Sequence, residues 1–153
     1  MARSRSDASP TKGADNRKSE DKFDILSALL NEIGGEIAEI VGGDPAGTYL
    51  YAEAGEGWIG SSLFKDEGSA VRYYDTTEEL DELLLEFRMT EGRGKRWAVM
   101  EYEIKGTKVD AQFMYSEDVD VEDFDEDRRE IALKKRYGDK PVIYPPWPGQ
   151  EAD

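Results

Sequence analysis

WAVMEYEIKGTKVDAQFMY, residues Trp97 to Tyr115, is two runs of alternating side chains on either side of Gly106-Thr107. A Gly-first two-residue loop favours a type II′ hairpin, so the stretch predicts strands over Trp97–Lys105 and Lys108–Tyr115. With Lys105 opposite Lys108, Ile104 meets Val109, Tyr102 meets Ala111, Met100 meets Phe113 and Ala98 meets Tyr115. All eight fall on one face, and a one-residue slip would set Lys, Asp and Gln against apolar partners. The hairpin therefore belongs to a sheet with a buried face.

Toward the N-terminus, Asp75 and Thr76 lead into Glu79 at capping-box spacing. Leu80, Leu83, Leu84 and Phe87 then supply one face of a helix that ends before Gly92. Ahead of it, Tyr49–Ala54, Trp58–Lys65 and Ala70–Tyr74 are short aromatic and β-branched runs. The turns Gly55-Glu56-Gly57 and Asp66-Glu67-Gly68 separate them, predicting a three-stranded meander. From Phe23 to Val41, Leu26, Leu29, Leu30, Ile33, Ile37 and Ile40 recur at helical spacing until Gly42, Gly43 and Pro45 stop the run.

Toward the C-terminus, a third helix is expected over Phe124–Tyr137. Asp125, Glu126 and Asp127 lie in its first turn and Lys134, Lys135 and Arg136 in its last, an order that complements the helix dipole. Gly138 caps it and Pro141 blocks continuation. The order is helix, three strands, helix, two strands, helix, and the expected fold is an α+β domain with an antiparallel sheet of about five strands covered by helices. At 153 residues there is room for one such domain, over 23–141. Residues 1–22 are poor in apolar side chains and read as a disordered arm. Residues 142–153, with Pro145-Pro146-Trp147, read as an extended Pro-rich tail.

Histidine and cysteine are both absent, which removes the usual general base, the thiolate nucleophile and the common transition-metal ligands. The expectation is a protein that is not an enzyme and needs no cofactor or metal. Zero cysteines fit a reducing compartment, and MARSRSDASPTKG has no apolar h-region behind its basic residues, so a cytoplasmic location is expected. Thirty-five acidic against twenty basic residues give a net charge of −15, which repels phosphate backbones and attracts basic protein surfaces. Neither nucleic acid nor a membrane is an expected partner. Acidity also serves solubility alone, and that reading stands beside the other.

The densest charge is Glu117–Asp127, EDVDVEDFDED, with eight acids in eleven residues. An EF-hand begun at Asp118 would place Asp120 and Glu122 at its third and fifth positions. It would also put Asp123 where the sharp-turn Gly belongs and Arg129 where the bidentate Glu belongs, so the motif is excluded. A paired-carboxylate hydrolase needs two groups at fixed separation in a pocket, which no spacing here demonstrates. Two readings remain: a solvated loop running into a helix N-terminus, or a row of carboxylates that imitates a phosphate backbone and enters a basic cleft. Gly55-Glu56-Gly57 and Gly92-Arg93-Gly94 lack the spacing of phosphate loops and are read as turns. Several of Tyr49, Tyr51, Trp58, Tyr73, Tyr74 and Trp147 either complete the core edge-on or supply anchors at an interface.

From about Phe23 to Pro141 the chain resembles the YezG-type immunity proteins of bacterial polymorphic-toxin systems. The landmarks are the amphipathic first helix, YLYAEAGEG from Tyr49 to Gly57, and the Trp97 strand leading to Tyr102. They continue with Tyr115-Ser116-Glu117-Asp118 and the closing helix from Arg128-Arg129 to Tyr137-Gly138, followed by Pro141. The chain has Ala132 where the family often carries Trp. The resemblance implies a cytoplasmic antitoxin that binds a cognate, commonly nuclease-type, toxin stoichiometrically and without chemistry of its own. With the acidic run read as the toxin-facing surface, its carboxylates pairing with Arg or Lys and an aromatic supplying the anchor, the expected partner-binding residues are Glu117, Asp118, Asp120, Glu122, Asp123 and Asp125, with Tyr115 and Trp58 beside them. The alternative is an acidic adaptor or regulatory subunit that binds a basic protein without inhibiting a toxin.

Overall fold

One strand has all eight of its residues buried, and the other elements are arranged around it. This is β1 (Thr48–Gly55). Leu50, Ala52 and Ala54 enter one core, while Tyr49 and Tyr51 enter a second on the opposite face. Period-two alternation makes this possible only if both faces of the sheet are covered.

The computed structural model describes residues 14–92, 95–119 and 124–145, with side chains from Asp21 onward. Around β1 lie α1 (Ala14–Val41), β2 (Trp58–Asp66), β3 (Val71–Tyr74), α2 (Glu78–Glu91), β4 (Trp97–Lys105), β5 (Lys108–Tyr115), α3 (Glu126–Tyr137) and β6 (Val142–Ile143). The sheet order is β5-β4-β1-β2-β3-β6, antiparallel throughout except for the parallel β3–β6 pair. The chain is thus α+β as expected, with a six-stranded mixed sheet.

α1 and α2 cover one face. Leu29, Ile33 and Ile37, one helical turn apart, meet Leu80, Leu84 and Phe87 over Leu50, Leu63, Trp97 and Met100. Each such side chain contributes roughly 2 kcal/mol of burial. Tyr102 reaches past this layer to donate its hydroxyl to the Leu30 carbonyl at 2.5 Å. That approach needs Gly34, where an added Cβ would lie 2.8 Å from the Tyr102 Oη. α3 covers the other face through Leu133, Ala132 and Tyr137, against Tyr49, Tyr51, Phe64 and Val99. No helix among the described residues is long and apolar enough to cross a membrane.

The hairpin strands lie where the alternation places them, with Lys105 opposite Lys108, Tyr102 opposite Ala111 and Met100 opposite Phe113. Gly106 takes φ +61°, as the first central residue of a type II′ turn requires. The far end differs. A bulge between Trp97 and Val99 puts Trp97, not Ala98, opposite Tyr115 and turns the indole into the core.

Other boundaries differ for local reasons. α1 begins at Ala14, so residues 14–22, expected in the arm, are helical. No proline or glycine interrupts Ala14 to Phe23, and extending an existing helix is far cheaper than starting one. Residues 1–13 lie outside the described residues. Thr77, not Thr76, caps α2, accepting from the Leu80 amide at 3.1 Å while its hydroxyl donates to Glu36 of α1 at 2.9 Å. α3 starts at Glu126, because Asp125 takes the cap and Phe124 packs on the sheet. Val142 and Ile143, expected in the extended tail, add to β3 as a sixth strand, joined where the Val71 amide donates to the Pro141 carbonyl at 2.8 Å. Trp147 lies outside the described residues.

Candidate functional site

Register places Trp58 and Tyr115 at one end of the sheet. Gly55 of β1 pairs with Trp58, Glu53 pairs with Val99, and Trp97 pairs with Tyr115, so β1 and β5 end where β2 and β4 begin. Phe124 and Asp125 join this end because the Asp125 amide donates to Glu53 Oε1 at 3.0 Å.

Tyr115 lies on the α1/α2 side, half-buried, with its hydroxyl donating to Glu91 Oε2 at 3.1 Å. Glu91 Oε1 accepts from the Trp97 amide at 2.8 Å. Burial raises the Glu91 carboxyl above the usual carboxylate range, and burial together with Glu91 raises the Tyr115 phenol. These groups line a recess of about 330 Å³ with Lys22, Leu26, Lys95 and Glu117.

The turn after Tyr115 is tied down rather than loose. The Asp118 and Val119 amides donate to the Tyr115 carbonyl at 2.8 and 3.1 Å, and the Ser116 amide and hydroxyl both donate to the Arg96 carbonyl. Glu117 and Asp118 are left exposed on this anchored turn, while Val119 packs into the second core. Tyr115 and Val119 therefore lie on opposite faces of the sheet. Asp120, Glu122 and Asp123, the middle of the expected site, lie outside the described residues.

On the α3 side, Phe124 packs against Gly60, where an added Cβ would meet its ring at 2.6 Å, and it meets Tyr51 edge-on at 6.3 Å. Asp125 has a structural task. It accepts from the amides of Asp127 at 2.9 Å and Arg128 at 3.2 Å and lies 3.4 Å from the Arg128 guanidinium. An N-cap carboxylate also suits the positive end of the helix dipole. Glu126 and Asp127 follow it, exposed. Trp58, half-buried, packs against Gly55 on this same side. Tyr115 and Trp58 thus flank the segment from opposite faces and do not form one aromatic cluster.

A second set of carboxylates escaped sequence reasoning because alternation assigns it to the face away from the apolar core. Glu53, wholly buried, accepts from the Tyr51 hydroxyl and the Asp125 amide and lies 3.0 Å from Arg128 Nη1. Glu101 accepts from the Tyr49 hydroxyl at 2.7 Å, and Glu103 pairs with Arg136, whose guanidinium lies 4.3 Å over the Tyr49 ring. Burial, with Glu101 accepting its hydroxyl, pushes the Tyr49 phenol far above its ordinary value, and burial and Glu53 do the same to Tyr51. The available signal was Arg128 and Arg136, eight residues apart on one side of α3. These ion pairs fasten α3 to the sheet. Among the described residues no three carboxylates converge as a metal site would need.

No protein-family model matches the chain, and no curated protein sequence matches it significantly.

Proposed function

We propose that the chain is an immunity protein that binds and neutralises a basic, nuclease-type toxin of a polymorphic-toxin system, using the acidic end of its sheet and performing no chemistry itself. The observation that carries the reading is the anchored display of acids there. Glu117 and Asp118 stand exposed on a turn fixed to the Arg96 carbonyl, and Glu126 and Asp127 stand exposed on the first turn of a helix held by Glu53. Carboxylates on a pre-ordered backbone lose little entropy on binding and steer a cationic partner at long range. A net charge of −15 and the absence of histidine and cysteine agree with this, as does the sequence resemblance. Such a protein works in the cytoplasm, where it meets the toxin.

The test is a pull-down from native cell extract with the full chain as bait, at low and at high salt, followed by assay of the captured protein. One basic protein released by salt, whose nuclease activity falls in proportion to added chain, is the expected result. Capture of a protein whose activity the chain leaves unchanged would make it an adaptor.

A further inference from the structure

The two edges of the sheet are unequal. β6 exposes two residues before Pro145, whereas β5 exposes eight. Lys105 and Lys108 flank a two-residue turn and so exchange backbone hydrogen bonds. By alternation, Lys108, Asp110 and Gln112 aim their peptide groups at β4, and Val109, Ala111 and Phe113 aim theirs outward. Among the described residues nothing pairs with these outward groups. A long unpaired strand edge is a template for another strand unless charge, proline or a cover blocks it.

We infer that β5 is the contact between two copies of this chain, joined antiparallel about a two-fold axis through Ala111. In that register Ala111 faces Ala111 of the second copy and Val109 faces its Phe113. Each of these pairs lies in the hydrogen-bonded position, so every outward group from Val109 to Phe113 finds a partner. An axis at Val109 or Phe113 leaves one end of the strand unmatched, one at Asp110 sets two acids opposite each other, and one at Gln112 sets Val109 opposite Tyr115, whose carbonyl already accepts from the Asp118 and Val119 amides.

Side chains and charge agree with the register. Val109, 41 % exposed, gains the Phe113 ring of the second copy beside it, on the face where Phe113 already stacks on Phe87 at 5.4 Å. On the other face Met114, 44 % exposed, meets the aliphatic stem of Lys108 of the second copy. Asp110 faces Gln112, not another acid, and its own Lys105 stands 4.0 Å away. In a chain of charge −15, the hairpin from Lys105 to Tyr115 holds two lysines and one aspartate, so the long edge is spared the repulsion the rest of the surface would impose. The axis runs normal to the sheet, so the two sheets become one. The acidic ends point in opposite directions, and each stays open.

Because the chain has no cysteine, single-cysteine variants report the register directly. Light scattering on the full chain across the micromolar range is expected to give twice 17.2 kDa. Ala111→Cys is expected to form a disulfide-linked dimer under mild oxidation. Val109→Cys is not, because the two copies of residue 109 are about 13 Å apart along the strand, beyond the roughly 7 Å Cα limit of a disulfide. Val109→Glu changes an exposed side chain and is expected to give a monomer with an unaltered circular dichroism spectrum. A mass of 17.2 kDa at every concentration would overturn the proposal. So would a dimer that Val109→Glu leaves intact, or cross-linking through Val109→Cys in place of Ala111→Cys. A monomer whose Val109, Ala111 and Phe113 amides gain protection only with a different protein would assign the edge to that partner and overturn it as well.

Discussion

Glu53, wholly buried in the central strand, holds the guanidinium of Arg128 at 3.0 Å, 75 residues along the chain. The same carboxylate accepts from the Tyr51 hydroxyl and from the Asp125 amide, so one side chain in β1 fixes the start of α3. The turn after Tyr115 is fixed separately, by the Arg96 carbonyl that accepts from the Ser116 amide.

Breaking this pair from either side leaves a charge or a donor without its partner. Glu53→Gln is expected to destabilise the fold by about 3 kcal/mol, and Arg128→Met by a similar amount. The double variant is expected to lose less than the sum of the two, since it leaves no charge stranded. Urea denaturation of the four proteins measures the coupling; strict additivity would mean that the pair is not energetically joined.

Two neighbouring glycines of α1 are expected to respond in opposite directions. Gly35 has open space where a Cβ would go, so Gly35→Ala is expected to stabilise the helix by up to about 1 kcal/mol. At Gly34 the added carbon would press on the Tyr102 hydroxyl and its bond to Leu30. Gly34→Ala is therefore expected to cost about 1–3 kcal/mol in spite of the better helix propensity. Thermal melts of both variants decide it.

Asp81 of α2 is half-buried, accepts from the Ser61 hydroxyl at 2.6 Å, and has its pKa raised by burial. A carboxyl with a folded pKa above its unfolded value binds its proton more tightly in the native state, so its contribution to stability falls as pH rises. Asp81→Asn cannot ionise. Its melting temperature relative to the parent chain is expected to climb as pH rises above 3.8 and then level off once Asp81 is ionised in the folded protein. A difference that stays flat with pH would refute the burial argument.

The exposed acids and the capping acid are expected to separate by what they disturb. Glu117→Gln with Asp118→Asn should slow association with a basic partner and flatten its salt dependence, leaving the melting temperature unchanged. Asp125→Ala should cost about 1 kcal/mol of stability through the lost cap. Stopped-flow association at two ionic strengths, paired with melts, distinguishes the effects.

The sequence by itself determined what depends on neighbours a few residues away. The stripe from Leu29 to Ile37, the turn at Gly106-Thr107 with its register, and the charge order of α3 all follow from 3.6- and two-residue periods and from the conformations glycine allows. The exposed acids Glu117 and Asp118 were legible for the same reason, since a dense run of carboxylates stays in water. Only the tertiary structure decided which strand is central and which face α3 covers. Glu53 alternates with Ala52 and Ala54 and so belongs to the solvent face of a sheet covered on one side. It becomes the buried anchor of the candidate site because α3 closes over that face with Arg128. The placement of Trp97 in the core likewise depends on a bulge whose extra residue is set by packing across the sheet, beyond the reach of any local period.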